Sequence, residues 1–421
     1  MRLFVFLFIF IQQIILGVPI VFAQTANATS SPQNKVQLGG PNSVGAVLEK
    51  DESLKPAIKT DFSWLDEYTD FKEQLEKQTG LAFGFDYNAF VQEATSSMGD
   101  KTAASGAFRF YGKWLLLGED SDGAGGFVYK VENRHTIVTD IPPQSLGGEI
   151  GYAGLTALPF SDMGWALTNA YWTQEFSDTN IAIAVGIVDS TDYTDTYAFV
   201  NPWTDFVNSA FLNAPTIPFP SQGLGAAVRW NLSDQFYVLG GLANSNGDPT
   251  QPWKEFETFF GDHEYFKHIE IGWFSSWNKK FEDNIHLTAW HADGVEKTGA
   301  RAGKGLALSA NHLVGENWLP FARLSWADGG GMPIDQSVSV GVGHFFRSKS
   351  DLLSLGLGWG HASSDMSNIE NVDQYTVEAF YRFQVLEQLA LTPDIQVVVN
   401  PVLNPDKKYI TIFGLRLRLN F

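Results

Sequence analysis

The sequence predicts an all-β protein: a single closed antiparallel transmembrane β-barrel of about 16 strands, preceded by a short N-terminal amphipathic helix. Three observations predict it. From Leu81 onward, segments of about ten residues alternate apolar and polar side chains, the length a tilted membrane strand needs. Short and long connections between these segments alternate in register. Charges fall on the face opposite the apolar run, as a lipid-facing exterior demands, because a charge at the bilayer midplane costs ~2–4 kcal/mol.

Residues 1–23 read as a cleavable secretory signal. Arg2 precedes an apolar run from Leu3 to Ile11, and Ala23 stands at a small-residue cleavage point. An N-terminal membrane anchor is the alternative, and Gln12 and Gln13 argue against it by interrupting the run. Residues 24–59 are rich in Ser, Asn, Gln, Pro and Lys without periodicity, and read as a flexible exported linker. Over 60–80, Trp64, Leu65, Tyr68, Phe71 and Leu75 recur at helical spacing. Asp61 or Ser63 can cap this periplasmic amphipathic helix, Gly80 can end it, and it is expected to dock at a barrel mouth.

Residues 81–421 form the barrel domain. Strands are predicted near 81–92, 104–117, 126–136, 165–176, 180–189, 222–231, 235–244 and 266–277. The remaining eight lie near 284–292, 304–313, 318–327, 336–346, 352–361, 373–384, 388–400 and 409–421. The turns at 177–180, 233–235, 315–317 and 386–388 are tight. The connections 137–164, 190–221, 245–265, 293–303, 328–335, 362–372 and 401–408 are longer. The last strand carries the pattern most plainly: Phe413, Leu415, Leu417, Leu419 and Phe421 point one way, and Arg416, Arg418 and Asn420 the other. In 165–176 Asn169, Tyr171 and Trp172 compete for faces, and no clean sorting results.

Composition narrows function. The chain has no cysteine, which excludes disulfides, thiol chemistry and cysteine metal sites. A net charge of −19 argues against a nucleic-acid partner. With 33 Phe and 13 Trp, aromatic girdles around an apolar band are affordable in side chains. The histidines fall in no metal-ligand spacing, and neither a phosphate-cradling glycine motif nor a nucleophile elbow occurs. No cofactor and no enzymatic activity are expected.

The C-terminal half carries a family resemblance. Val377-Glu-Ala-Phe-Tyr-Arg382, Leu391-Thr-Pro-Asp-Ile-Gln396, Asn400-Pro401, Phe413-Gly-Leu-Arg-Leu-Arg418 and Phe421 resemble the closing signature of the carbohydrate-selective outer-membrane porins of the OprB type. Gly186-Ile-Val-Asp189 with Asp192, Tyr193 and Asp195 is similar to that family's aspartate-rich approach to its long loop. Trp290-His-Ala-Asp293 and Gly303-Lys-Gly-Leu-Ala-Leu-Ser309 resemble it also. Where the family has a Gly-Asp-Trp-Gly-Gly type stretch, this chain has Trp64-Leu-Asp-Glu-Tyr68, which marks a divergent member. The resemblance implies a monomeric channel in the outer membrane of a Gram-negative cell, passing glucose-like monosaccharides. Its partners would be sugars, outer-membrane lipid and, through the strand ending at Phe421, the barrel-assembly machinery.

With the apolar faces on lipid, Arg109, Lys113, Arg229, Glu270, Glu378, Arg382, Asp394, Gln396, Arg416 and Arg418 face the lumen. A sugar needs donors and acceptors that replace water, and flat apolar walls for its C–H faces. Arginine offers five donors in a fixed fork and carboxylates accept from hydroxyls, so this set suits a sugar path. The alternative is that these groups pair with each other and only hold the barrel's shape. The loop 190–221 is the constriction candidate, with Asp192, Tyr193, Asp195, Trp203, Asp205, Phe206 and Phe211 as its key residues. So apolar a loop would not stay extended in water. Its aromatics either face the pore or pack the loop on the inner wall. The loop 245–265, with Trp253, Phe256, Phe259 and Phe260, is a candidate second lid. The competing readings are a general or ion-selective porin, an enzyme using Glu378 and Asp394 as glycosidase carboxylates, and a soluble secreted β-protein.

Overall fold

The alternating segments all become strands. A computed structural model describes residues 36–58, 63–117, 123–363 and 372–421. The expected signal at 1–23 lies outside the described residues. The strands are β1 (Leu81–Ala94), β2 (Thr102–Leu117), β3 (Gly125–Thr136), β4 (Gly164–Phe176), β5 (Ile181–Val188), β6 (Gly223–Asn231), β7 (Phe236–Asn244) and β8 (Tyr265–Phe274). They continue as β9 (Asn284–Ala292), β10 (Gly303–Asn311), β11 (Trp318–Asp328), β12 (Ile334–Phe346), β13 (Asp351–Ala362), β14 (Asp373–Leu386), β15 (Leu389–Val399) and β16 (Tyr409–Asn420). Each pairs antiparallel with its sequence neighbours, and β1 pairs with β16 from Asp86↔Asn420 to Ala94↔Ile412. The sheet therefore closes on itself, which removes the long unpaired edges an open sheet would expose, apart from the upper part of β4.

The faces sort as the alternation requires. Phe110, Trp114, Val228, Trp230, Ile269, Ile271, Leu355, Leu357 and Phe413 form an exposed apolar belt outside. β4 explains its own poor sorting. Lys130 pairs with Asn169 while Val131 pairs with Leu167, so Thr168 is an extra residue. Such a bulge flips the inward set by one. Ala166 and Thr168 are buried before it, and Asn169, Tyr171 and Thr173 after it.

Two N-terminal helices depart from expectation. The stretch 36–58 is not a flexible linker. It carries α1 (Val44–Glu52) and is folded inside the barrel, with Val36, Leu38, Val44 and Val47 buried against wall side chains. Its few apolar residues find partners far away in sequence, so local composition does not reveal them. α2 (Ser63–Thr79) forms within the expected span, but it docks on the outer face and not in a mouth. Tyr68 meets Phe85, and Trp64 stacks on Phe421, which itself stacks on Phe85 at 5.2 Å, beside the β1–β16 seam.

Among the long connections, 137–163 holds α3 (Pro143–Ile150), stopped by Gly151 at φ 78°. A Cβ there would lie 2.4 Å from Asn404, so glycine serves both the turn and the close approach. The connection 245–264 carries α4 (Glu255–Gly261) and is not a second lid. The upper part of β4 has no β5 partner, and this loop spans the gap. Pro249 accepts from the Leu167 amide at 2.8 Å, and Glu255 accepts from the Leu224 amide at 2.8 Å. Trp253, Phe256 and Phe260 remain exposed.

Candidate functional site

The loop between β5 and β6 folds into the lumen, as its apolar content demands. Its aromatics do not face a channel. Trp203, Phe206 and Phe211 are each at most 2% exposed, and Tyr193 is buried too. Phe206 stands edge-on to Phe380 at 5.1 Å and packs on Phe211 at 5.0 Å, while Trp203 meets Phe160 at 5.4 Å. Tyr197, Phe199, Phe206 and Phe211 join Leu319 and Phe321 of β11 and Leu352 of β13 in one cluster. The aromatics thus pack the loop on the wall.

The inner wall makes room where it receives them. A Cβ on Gly343 would lie 2.5 Å from Phe199, and one on Gly356 would lie 2.8 Å from Phe211. Alternating inward glycines on β12 and β13 are the imprint of this loop in the barrel sequence.

The expected lumen charges hold the loop and the N-terminal segment. Arg382 donates to Asp205 at 2.9 Å and to the Thr204 carbonyl at 3.0 Å. Arg416 donates to the carbonyls of Pro202 at 2.6 Å and Asp205 at 2.8 Å. Glu378 accepts from the amides of Val207 at 2.8 Å and Asn208 at 3.0 Å. Gln396 accepts from the Asn208 side chain and donates to the Thr156 carbonyl. Asp394 accepts from Gln396 at 3.1 Å and lies beside Glu378. Glu270 accepts from the Asp195 amide at 2.8 Å, from Thr288 and from Tyr237.

Arg109, Arg418, Arg229 and Lys113 sit nearer the turn end, and Asp192 lies past the other end of β5. Arg109 clasps Asp86 through two hydrogen bonds and lies 4.3 Å over the Trp203 ring. Arg418 donates to both Asp86 and Asp51. Arg229 lies 3.9 Å over the Tyr237 ring, and Lys113 approaches Glu175 at 3.8 Å. Asp192 accepts from Asn169 and from Asn42, with Lys130 at 3.6 Å. Burial pushes its carboxyl up to about 7, and Lys130 only partly offsets that.

Three anchors escaped the sequence reading. Arg323 on β11 pairs with Asp195 and donates to the Leu212 carbonyl. Its signal was that Leu319 and Phe321 share its inward face, an apolar stretch that a wet lumen would not carry. Asp51 and Lys50 had no local signal.

Two clefts remain. One of about 20 Å³, room for roughly one water, lies between Tyr152, Ser209, Ser337, Ser339, Gln374 and Thr376, none of them charged. One of about 220 Å³ opens at the long-loop end beside Phe219, Asp293, Arg301 and Met332. No cluster suited to a metal occurs among the described residues.

Comparisons agree with this architecture. The profile of the carbohydrate-selective porin, OprB family, matches residues 135–304 and 307–421. Porin AaxA of Chlamydia felis is 25% identical over 365 residues, covering 81% of this chain and 78% of that protein. Porin AaxA of Chlamydia pneumoniae is 29% identical over 122 residues, 28% of each chain. The high-pH structure of Pseudomonas putida OprB superposes with a TM-score of 0.67 at 15% identity, covering 84% of this chain and 97% of that one. A closed sixteen-strand barrel with its longest apolar loop folded inward, matched by that profile from the end of β3 to β16, places the chain in the OprB family of carbohydrate-selective porins.

Proposed function

We propose that the protein is an outer-membrane porin, exported by the signal at 1–23, that passes small neutral carbohydrates by passive diffusion as a monomer. The observation that carries this reading is the charge balance of the inner wall. Arg109, Arg323, Arg382 and Arg418 each meet a carboxylate, and Glu270, Glu378 and Asp394 accept from amides and hydroxyls, so most inner charges are engaged within the protein and not presented to a passing ion. The uncharged hydroxyl and amide groups beside the inner cleft are of the kind that can replace a sugar's water. The wider cleft joins an aromatic ring, Phe219, to a carboxylate and a guanidinium, which suits a monosaccharide's apolar face and hydroxyls. The carbohydrate-selective character of the family favours the same solute class.

Liposome swelling with sugars of graded size tests this reading. Swelling with glucose-sized sugars and none with larger ones is expected. Reversal potentials in a salt gradient, with and without glucose, separate it from a general or ion-selective porin. A strong cation or anion preference unaffected by glucose would favour that second class.

A further inference from the structure

An open aqueous channel leaves its wall side chains wet, and this wall is dry at mid-height all the way round. On β1 and β2, the paired Asn88 and Ala107 are 0% exposed. Glu270 on β8, Glu378 on β14 and Arg416 on β16 are at most 2% exposed. On the intervening strands Glu132, Ala184, Leu239, Ser309 and Ser354 are buried as well.

Two masses of different origin fill the space. The inward loop takes the side made by β10–β14. The side made by β2–β8 is taken by the N-terminal segment. Val36, Leu38, Val44 and Val47 bury there against Tyr111, Val128, Tyr171, Tyr237 and Leu239.

The two masses are fixed differently. The loop is covalently joined to the wall at both ends, through β5 and β6. The segment is joined to the wall only through α2, on the outer face. It comes in from the turn end, where the Ala57 and Ile58 amides donate to Gln384 and Val385 at 2.9 and 3.0 Å. Beyond the apolar contacts named above, polar latches hold it: the Gly40 amide donates to the Asp192 carbonyl at 2.6 Å, the Lys55 amide to the Ser350 hydroxyl at 2.7 Å, and the Lys280 side chain to Gln37 at 3.2 Å. Asp51 takes two hydrogen bonds from Arg418, each 2.7 Å. Asn42 donates to Asp192 at 2.9 Å, and Lys50 to Thr204 at 3.2 Å. Against the loop it fits closely: a Cβ on Gly40 would lie 2.6 Å from Thr196 Cβ.

We propose that residues 36–58 are a withdrawable plug that closes the channel from the turn end, with Asp51–Arg418 as its principal latch. The proposal rests on the channel reading above. Withdrawal as a unit leaves the sixteen-strand hydrogen-bonded wall untouched, since no strand is broken. It also leaves Arg418 with Asp86 as its remaining carboxylate, so the opened mouth is more positive than the closed one.

Planar-bilayer recording in potassium chloride tests this with two variants and the full chain. In the first, residues 36–58 are deleted. It is expected to keep the heat-modifiable mobility of a folded barrel, to carry at least about tenfold more mean current, and to shift the reversal potential toward anions. The second joins Gly40→Cys and Thr196→Cys in a chain that has no other cysteine; the two Cβ positions, 2.6 Å apart, have to part by about 1 Å to reach the ~3.8 Å of a disulfide. Oxidised, it should stay shut, and reductant should restore the openings of the full chain. This second variant decides the matter if the deletion fails to assemble. A folded deletion variant with unchanged current overturns the plug, as does an oxidised double-cysteine protein conducting as well as the reduced one. If the deletion opens the pore to ions but glucose never passes, the plug stands and the carbohydrate reading falls.

Discussion

Truncating Asp195 to alanine should free the constriction loop while leaving the barrel standing. Asp195 and Arg323 are both buried, at 0% and 5% exposure. The carboxylate also accepts from the Ala214 amide at 2.6 Å and from His286 at 3.4 Å. Removing it leaves the Arg323 guanidinium buried without its counter-charge. Breaking a buried pair from one side costs ~3–5 kcal/mol. At about 1.4 kcal/mol per decade, the population of loop-open molecules should rise roughly a hundredfold to several-thousandfold. The wall is held by continuous ladders from β1 to β16, so its stability should change little. Hydrogen exchange in micelles reads the two separately: faster exchange over 189–222, with the strand amides unchanged. Arg323→Ala should cost less, because Asp195 keeps its amide and histidine partners. The double variant should fall short of the sum of the two. Burial alone would raise the Asp195 carboxyl, but Arg323 and then His286 hold it below the usual carboxylate range. Its contribution is therefore present above about 3.8 and is lost only as pH falls below that value. Unchanged exchange across 189–222 in Asp195→Ala would refute the anchoring role.

Other expectations follow from the same contacts. Asp192 titrates at about 7 in the fold against 3.8 as its ordinary value. The folded chain therefore holds a proton there that the unfolded chain has lost, and stability from this site falls as pH rises from about 3.8 to about 7, then levels. Subtracting the urea midpoints of Asp192→Asn from those of the parent across that window should show the slope, and parallel curves would exclude it. Gly343→Val should cost ~1–3 kcal/mol by overpacking Phe199, and an unchanged unfolding midpoint would mean the loop does not press there. Phe421→Ala removes two stacked pairs at the seam, each worth ~0.5–1.5 kcal/mol beyond its area. It should lower the yield of folded, heat-modifiable barrel, and equal yields would mean the seam does not need that ring.

Much of the fold was legible because a barrel strand announces itself locally. An apolar outer face and a polar inner one impose a two-residue period that Phe413, Leu415, Arg416 and Arg418 display within six positions. The bulge at Thr168 was visible only as confusion, because an inserted residue exchanges the faces midway and mixes two clean patterns. The inward loop was legible from its aromatic load, since Trp203, Phe206 and Phe211 had to be buried somewhere. What the sequence did not disclose was pairing at long range. Arg382 and Arg416 were recognisable as inward arginines, but their partners Thr204, Asp205 and Pro202 lie about 180 to 210 residues away. The same applies to Asp51 with Arg418. A polar, aperiodic N-terminal stretch looks like a linker until a wall offers it a complementary surface. The site as read was a wet ring of charges. The structure has those charges facing inward but engaged in holding two inserted segments.

Spin labels on successive positions of β6 test the account most directly, in a chain with no native cysteine to remove. Labels at Ala226 and Val228 should be relaxed by oxygen dissolved in lipid and not by a water-soluble nickel complex. A label at Ala227, 4% exposed in the fold, should be shielded from both. Nickel access at Ala226 and Val228 would contradict the lipid-facing exterior, and nickel access at Ala227 alone would contradict the filled interior.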